Sequence, residues 1–129
     1  MYKIIVFTYL SIFIASCDNS VNSLLEEISK NYNENCPMKI DSYTTLYTTS
    51  VIKNTITYYY SIDEKVLSDN NINKSYWSTE QQLHLNKNYC TNPDFSVFRE
   101  HNISVRWKYN NLEGFPFGLF EFNNDDCNN

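Results

Sequence analysis

The run from Ile103 to Tyr109 constrains this chain more than any other stretch. Ile103, Val105, Trp107 and Tyr109 alternate with Ser104, Arg106 and Lys108. Successive side chains of a strand point to opposite faces, so this strand has one apolar and one charged face. Such a strand belongs to a sheet that is covered on one side and wet on the other, the habit of antiparallel sheets. Asn110-Asn111-Leu112-Glu113-Gly114 makes a Gly-ended turn, and residues 115–122 return as the partner strand. Gly118 inside that strand predicts a bulge or a close backbone contact.

An earlier hairpin has the same logic. Residues 41–52 are rich in Thr, Tyr and Val, which favour strands, Lys53-Asn54 turns, and residues 55–62 return. Ile56, Tyr58, Tyr60 and Ile62 share one face by period-two alternation. Helical periodicity precedes each hairpin. Val21, Leu24, Leu25, Ile28 and Tyr32 recur at three- and four-residue intervals, with Ser20 as N-cap, Glu26-Glu27 near the start and Pro37 closing the segment. Residues 63–74 are polar and read as a loop. Residues 75–89 read as a helix, with Ser78 and Gln81 at capping-box spacing, until Asn92-Pro93-Asp94 breaks it. A short helical turn over residues 95–100 follows. The expectation is an α+β domain in the order α-β-β-α-β-β: a four-stranded antiparallel sheet with helices on one face. The 129 residues suffice for one such domain, and 11 tyrosines and 8 phenylalanines supply its apolar area.

The N-terminal residues do not belong to that pattern. Met1-Tyr2-Lys3 precedes an uncharged run, Ile4 to Ile14, which is too short to span a bilayer, a task that takes about 20 apolar residues. It fits the apolar region of a secretory signal. It ends Ile14-Ala15-Ser16-Cys17: a branched apolar residue, two small residues, then cysteine. This ending resembles the bacterial lipoprotein signal. The resemblance implies that the Cys17 thiol receives a diacylglycerol and that cleavage leaves Cys17 as the first mature residue. The expected division is a signal peptide over 1–16, the acylated cysteine and a short tether over 17–20, and one domain over 21–129. Asp18 resembles the inner-membrane retention signal of enteric lipoproteins, which leans the expected location towards the inner membrane. The membrane would then be reached through the N-terminal lipid.

Charge narrows the partners. The formal net charge is −5. An acidic surface repels phosphate backbones and anionic lipid, so nucleic acid is excluded as a partner.

Export places the four cysteines where disulfides persist. With Cys17 acylated, Cys36, Cys90 and Cys127 remain. Cys90 ends a helix and Cys127 follows the last strand, so a Cys90–Cys127 bridge would pin the C-terminal tail to the helix layer. Were Cys17 free, a Cys17–Cys36 bridge would be open as well. His84 and His101 are the only histidines and show no metal-ligand spacing, and two glycines cannot build a phosphate loop. No serine sits in a nucleophile elbow. Neither an enzyme, a metal site nor a cofactor is expected. Tyr58-Tyr59-Tyr60 puts Tyr59 opposite the core face, where it and Tyr47 would form an outward binding surface, since tyrosine is favoured at interfaces.

Cys36-Pro37-Met38-Lys39-Ile40-Asp41, Thr44-Thr45-Leu46, Tyr58-Tyr59-Tyr60, Cys90, Ile103-Ser104-Val105 and Asp126-Cys127 together resemble small envelope proteins of Gram-negative bacteria of unassigned activity. The resemblance implies a fold and a location facing the periplasm, and no activity. The functional expectation is a lipid-anchored, non-enzymatic binding protein of the envelope with a protein partner. Its alternatives are an immunity or exclusion lipoprotein against a toxin or phage, a pilotin-like assembly chaperone and, remotely, a small secreted enzyme.

Overall fold

The computed structural model describes residues 20–127. The leader, the lipidation site Cys17 and Asp18 lie outside the described residues. Helix α1 covers residues 20–35, with residue 20 itself already helical. It buries Leu25 and Ser29 completely or nearly so, while Leu24 and Tyr32 lie at the margins of the apolar stripe. Immediately beyond it comes the cis Cys36–Pro37 peptide. The chain then forms β1 (Met38–Lys39), β2 (Thr44–Ile52) and β3 (Thr55–Ile62). Next come α2 (Glu64–Asp69), α3 (Lys74–Thr91), a 3₁₀ turn (Pro93–Phe95) and α4 (Ser96–Glu100). The chain closes with β4 (Ser104–Asn111), β5 (Pro116–Phe122) and a 3₁₀ turn, Asn124–Cys127.

The fold is α+β, but the sheet has five strands and is mixed, where four antiparallel strands were expected. Its order is β1-β2-β3-β4-β5. Both hairpins are antiparallel, whereas β3 pairs with β4 in parallel, from Thr55 opposite Ser104 to Ile62 opposite Asn111. The cause is the long connection. A parallel neighbour needs a crossover of a dozen or more residues, usually helical. Residues 63–103 supply it with α2, α3 and α4, returning the chain to the end of the sheet where β3 began. The fifth strand, β1, pairs only Met38 with Leu46 and Lys39 with Thr45. Two residues carry no alternation to read.

The helix boundaries differ for a local reason. The segment expected as a loop contains α2, because Asp63 caps it: Oδ1 accepts from the N–H groups of Lys65 at 3.1 Å and Val66 at 3.2 Å. Leu67 is then turned into the core. Helix α3 starts at Lys74, capped by Asn73, whose Oδ1 accepts from Tyr76 N–H at 2.8 Å. Asparagine is as good a cap as serine, and it comes a full turn before Ser78.

One face of the sheet carries the helices. Ile56, Tyr58, Ile62, Val105, Trp107, Tyr109, Phe120 and Phe122 are buried beneath them. Helix α1 rests there through Tyr32, edge-on to Tyr58 at 5.3 Å, and through a 2.6 Å hydrogen bond between the Ser29 and Thr49 hydroxyls. Helix α3 contributes Trp77, whose ring meets those of Tyr109 at 5.0 Å and Phe117 at 4.8 Å. The Tyr89 hydroxyl donates to the Ile103 carbonyl at 2.8 Å, tying α3 to the chain entering β4. Arg99 of α4 donates to the carbonyls of Tyr89 at 2.6 Å and Asn92 at 3.0 Å, so it closes the end of α3.

Candidate functional site

The opposite face of the sheet is free of helices among the described residues, and the strand registers decide which side chains meet there. Between the core-facing pairs Leu46–Tyr60 and Thr49–Tyr58, β2 carries one extra residue, so Tyr47 and Thr48 both stand opposite Tyr59. A bulge of this kind re-aims side chains at the edge of a sheet. Tyr47 is 48% exposed, while Tyr59 is half-buried. Tyr59 pairs with Lys108 on β4, and Lys108 pairs with Leu119 on β5. The result is a row across four strands: Tyr47 with Thr48, then Tyr59, Lys108 and Leu119.

The row is mostly apolar around one ammonium group. Leu119 is 61% exposed. Lys108 Nζ lies 5.8 Å from the centroid of the Tyr59 ring, a geometry in which the ring face attracts the cation. The Tyr59 hydroxyl accepts from Ser50 Oγ at 3.2 Å, which fixes the ring's direction. The neighbouring row holds the Arg106–Glu121 ion pair, at 3.2 Å. The other described ion pair is Lys30–Glu34 on α1. Among the described residues Lys108 therefore has no carboxylate partner. Beside it a shallow, mainly apolar groove runs between Lys108, Asn110, Pro116, Phe117 and Leu119, where the register of β4 and β5 slips between Tyr109 and Asn110.

The two tyrosines expected to form a binding surface thus stand opposite each other on adjacent strands. Lys108 and Leu119 were missed as their neighbours. Lys108 was visible as a charged alternate, but its place next to Tyr59 follows from the parallel β3–β4 pairing, which no local pattern announces. Cys90 and Cys127 are joined by a disulfide with a Cα–Cα distance of 5.4 Å, tying the end of α3 to the C-terminal turn. Cys36 is a free thiol. Burial pushes its pKa up, which disfavours the nucleophilic thiolate. His84 and His101 are both exposed. Among the described residues no three His, Cys, Asp or Glu side chains are grouped to hold a metal ion. No described helix is long and apolar enough to cross a membrane.

A mixed sheet with helices packed on one face and an open, tyrosine-bearing face on the other defines a small α+β module. Residues 20–114 match the family described as Domain of unknown function (DUF8479), and the chain belongs to it. No curated protein sequence matches the chain. Three solved structures share its fold. The type 2 secretion system pilotin EpsS of Vibrio vulnificus superposes with a TM-score of 0.72 at 10% identity, covering 89% of this chain and 98% of that one. The type II secretion system pilotin AspS of Vibrio cholerae gives 0.66 at 16% identity, covering 88% and 98%. A protein of Pseudomonas aeruginosa described as secreted gives 0.67 at 15% identity, covering 85% and 95%. At these identities the likeness is one of fold.

Proposed function

We propose that this chain is a pilotin-like protein of the bacterial envelope: a lipid-anchored, non-enzymatic assembly chaperone that holds one protein component of a secretion machine. The observation that carries the reading is the match in architecture to two type II secretion pilotins over 88–89% of the chain. Fold alone does not assign function, so the reading also draws on the site. The described surface offers a half-apolar, aromatic face suited to a protein partner and no convergent acid, base and nucleophile. In this proposal Cys17 carries the lipid and the domain faces the periplasm.

The test uses the full chain in its native host. Secretion-machine complexes are sized in membrane extracts from cells with and without the gene, and secretion is assayed in parallel. The expected outcome is a shift from assembled to unassembled complexes, restored by the wild-type gene and only weakly by a Cys17→Ala variant. Assembly and secretion that are both unchanged on deletion would overturn the reading.

A further inference from the structure

We infer that the open sheet face is the docking surface, and that it takes a partner segment presenting a carboxylate flanked by apolar side chains, with Lys108 as the charge it meets. The inference rests on the binding-protein reading above and specifies the chemistry of its partner.

Three observations converge. The first is the row of Tyr47, Tyr59, Lys108 and Leu119, made continuous across four strands by the pair registers. At about 4.8 Å per strand the row is about 14 Å long, so it is a footprint for a short segment and not for a whole domain. The second is charge. The chain is acidic overall, at −5, yet the cation at the centre of this face has no carboxylate partner among the described residues. It rests instead over the Tyr59 ring, beside the exposed Leu119. An ammonium flanked by an aromatic ring and an aliphatic side chain is partly desolvated, so an incoming carboxylate is attracted more strongly there than on an open surface. The third is contrast within the same face. Arg106, one row away, is already neutralised by Glu121 at 3.2 Å. Lys39, the other cation on this face without an ion pair among the described residues, lies at the sheet's edge on β1 opposite Thr45 and outside the row. Within the row Lys108 is therefore the cation on offer, and a segment with a basic residue at the same point would be repelled. Apolar positions on either side of the carboxylate match Leu119 on one flank and the tyrosines on the other.

The test places a photoreactive phenylalanine analogue at residue 119 of the full chain in its native host, irradiates, and sequences the cross-linked peptide. The same analogue at Tyr76, exposed on α3, serves as the control. The expected result is an adduct at residue 119 and not at 76, mapping to a segment with an Asp or Glu between apolar residues. Its yield should fall about tenfold in Lys108→Glu, hold in Lys108→Arg, and recover when the partner's acid is changed to lysine in the Lys108→Glu background. Unchanged thermal unfolding of Lys108→Glu excludes a folding defect. An adduct whose yield ignores the charge at residue 108, a peptide without an acid, a cross-link to a second copy of this chain or to lipid, or no adduct at all overturns the inference. The two readings fail separately. A secretion component captured without charge dependence sinks the docking chemistry alone. A charge-dependent adduct with a protein outside any secretion machine sinks the pilotin reading alone.

Discussion

The ring of Trp77 leaves no room for a side chain at residue 118. A Cβ there would sit 2.9 Å from Cζ3 and 3.1 Å from Cη2 of Trp77, and 3.3 Å from Cε2 of Phe120. Trp77 is only 3% exposed and is wedged against Tyr109 and Phe117, so it cannot swing aside. Gly118→Ala is expected to cost about 1–3 kcal/mol, the usual price of overpacking, read as a lower urea midpoint with an unchanged slope. A midpoint equal to the parent's would remove the packing explanation. Asn33 makes the opposite case, of a side chain that completes a backbone. Beyond its two pairs with β1, the outer edge of β2 has no strand neighbour among the described residues. Asn33 supplies one at Thr49: Oδ1 accepts from the Thr49 N–H at 2.7 Å, and Nδ2 donates to the Thr49 carbonyl at 3.1 Å. Asn33→Ala leaves both groups short of a partner and is expected to cost about 1–3 kcal/mol. Asn33→Asp keeps the acceptor and should cost less. Thermal unfolding of the two variants side by side measures the difference, and equal losses would contradict the two-bond account.

At the scale of elements, caps and staples decide which segments hold. Helix α2 is six residues long, and its first turn is closed by Asp63. Asp63→Ala is expected to cost about 1 kcal/mol, seen as faster amide exchange at Lys65 and Val66 before any change elsewhere. Exchange that is unaltered at those two amides would rule the cap out as the reason α2 exists. The Cys90–Cys127 bridge spans 37 residues of sequence, including α4 and the β4–β5 hairpin. Replacing both cysteines by serine is expected to cost about 2–4 kcal/mol by freeing the unfolded chain. These elements also show what could be read from residues. Strand β3 runs from Thr55 to Ile62 as its alternation predicts, and Ile103, Val105 and Trp107 are buried as theirs predicts. Such patterns are local: each side chain reports its own face. What joins the hairpins is not local. Nothing in Tyr58 or Trp107 says that they pair in parallel, because that pairing is set by the direction in which a crossover of residues 63–103 returns. Helix α2 was hidden because its six residues include only Val66 and Leu67 as apolar positions, too few for a period. The candidate site inherits both cases. Tyr47 and Tyr59 were legible as outward residues, and the cation between Tyr59 and Leu119 was not.

For the molecule as a whole, the tyrosines that make the core are expected to set the pH above which it loses stability. Tyr58, Tyr60 and Tyr109 lie on adjacent strands beneath the helices, with Tyr60 stacked on Tyr109 at 4.8 Å. Burial is the main cause that pushes all three hydroxyls well above the ordinary tyrosine range. Their mutual proximity pushes the same way, since one phenolate opposes the next. Unfolded tyrosine titrates near about pH 10. Below that value both states hold the protons and the three groups leave stability unchanged with pH. Above it the unfolded chain loses protons that the folded chain keeps, so stability falls as the pH rises through the gap. The accumulating negative charge on an already acidic chain adds repulsion in the same direction. The urea midpoint should therefore be flat from about pH 7 to 9 and fall steeply above about pH 10. Tyr60→Phe removes one titrating hydroxyl and keeps the stacked ring, so its alkaline decline should be shallower than the parent's. Alkali also activates the Cys36 thiol towards the Cys90–Cys127 bridge, and the series is run in a Cys36→Ser background so that disulfide exchange does not imitate the loss. A midpoint that stays flat to about pH 11.5, or a Tyr60→Phe curve that parallels the parent's, would show that these hydroxyls do not set the alkaline limit.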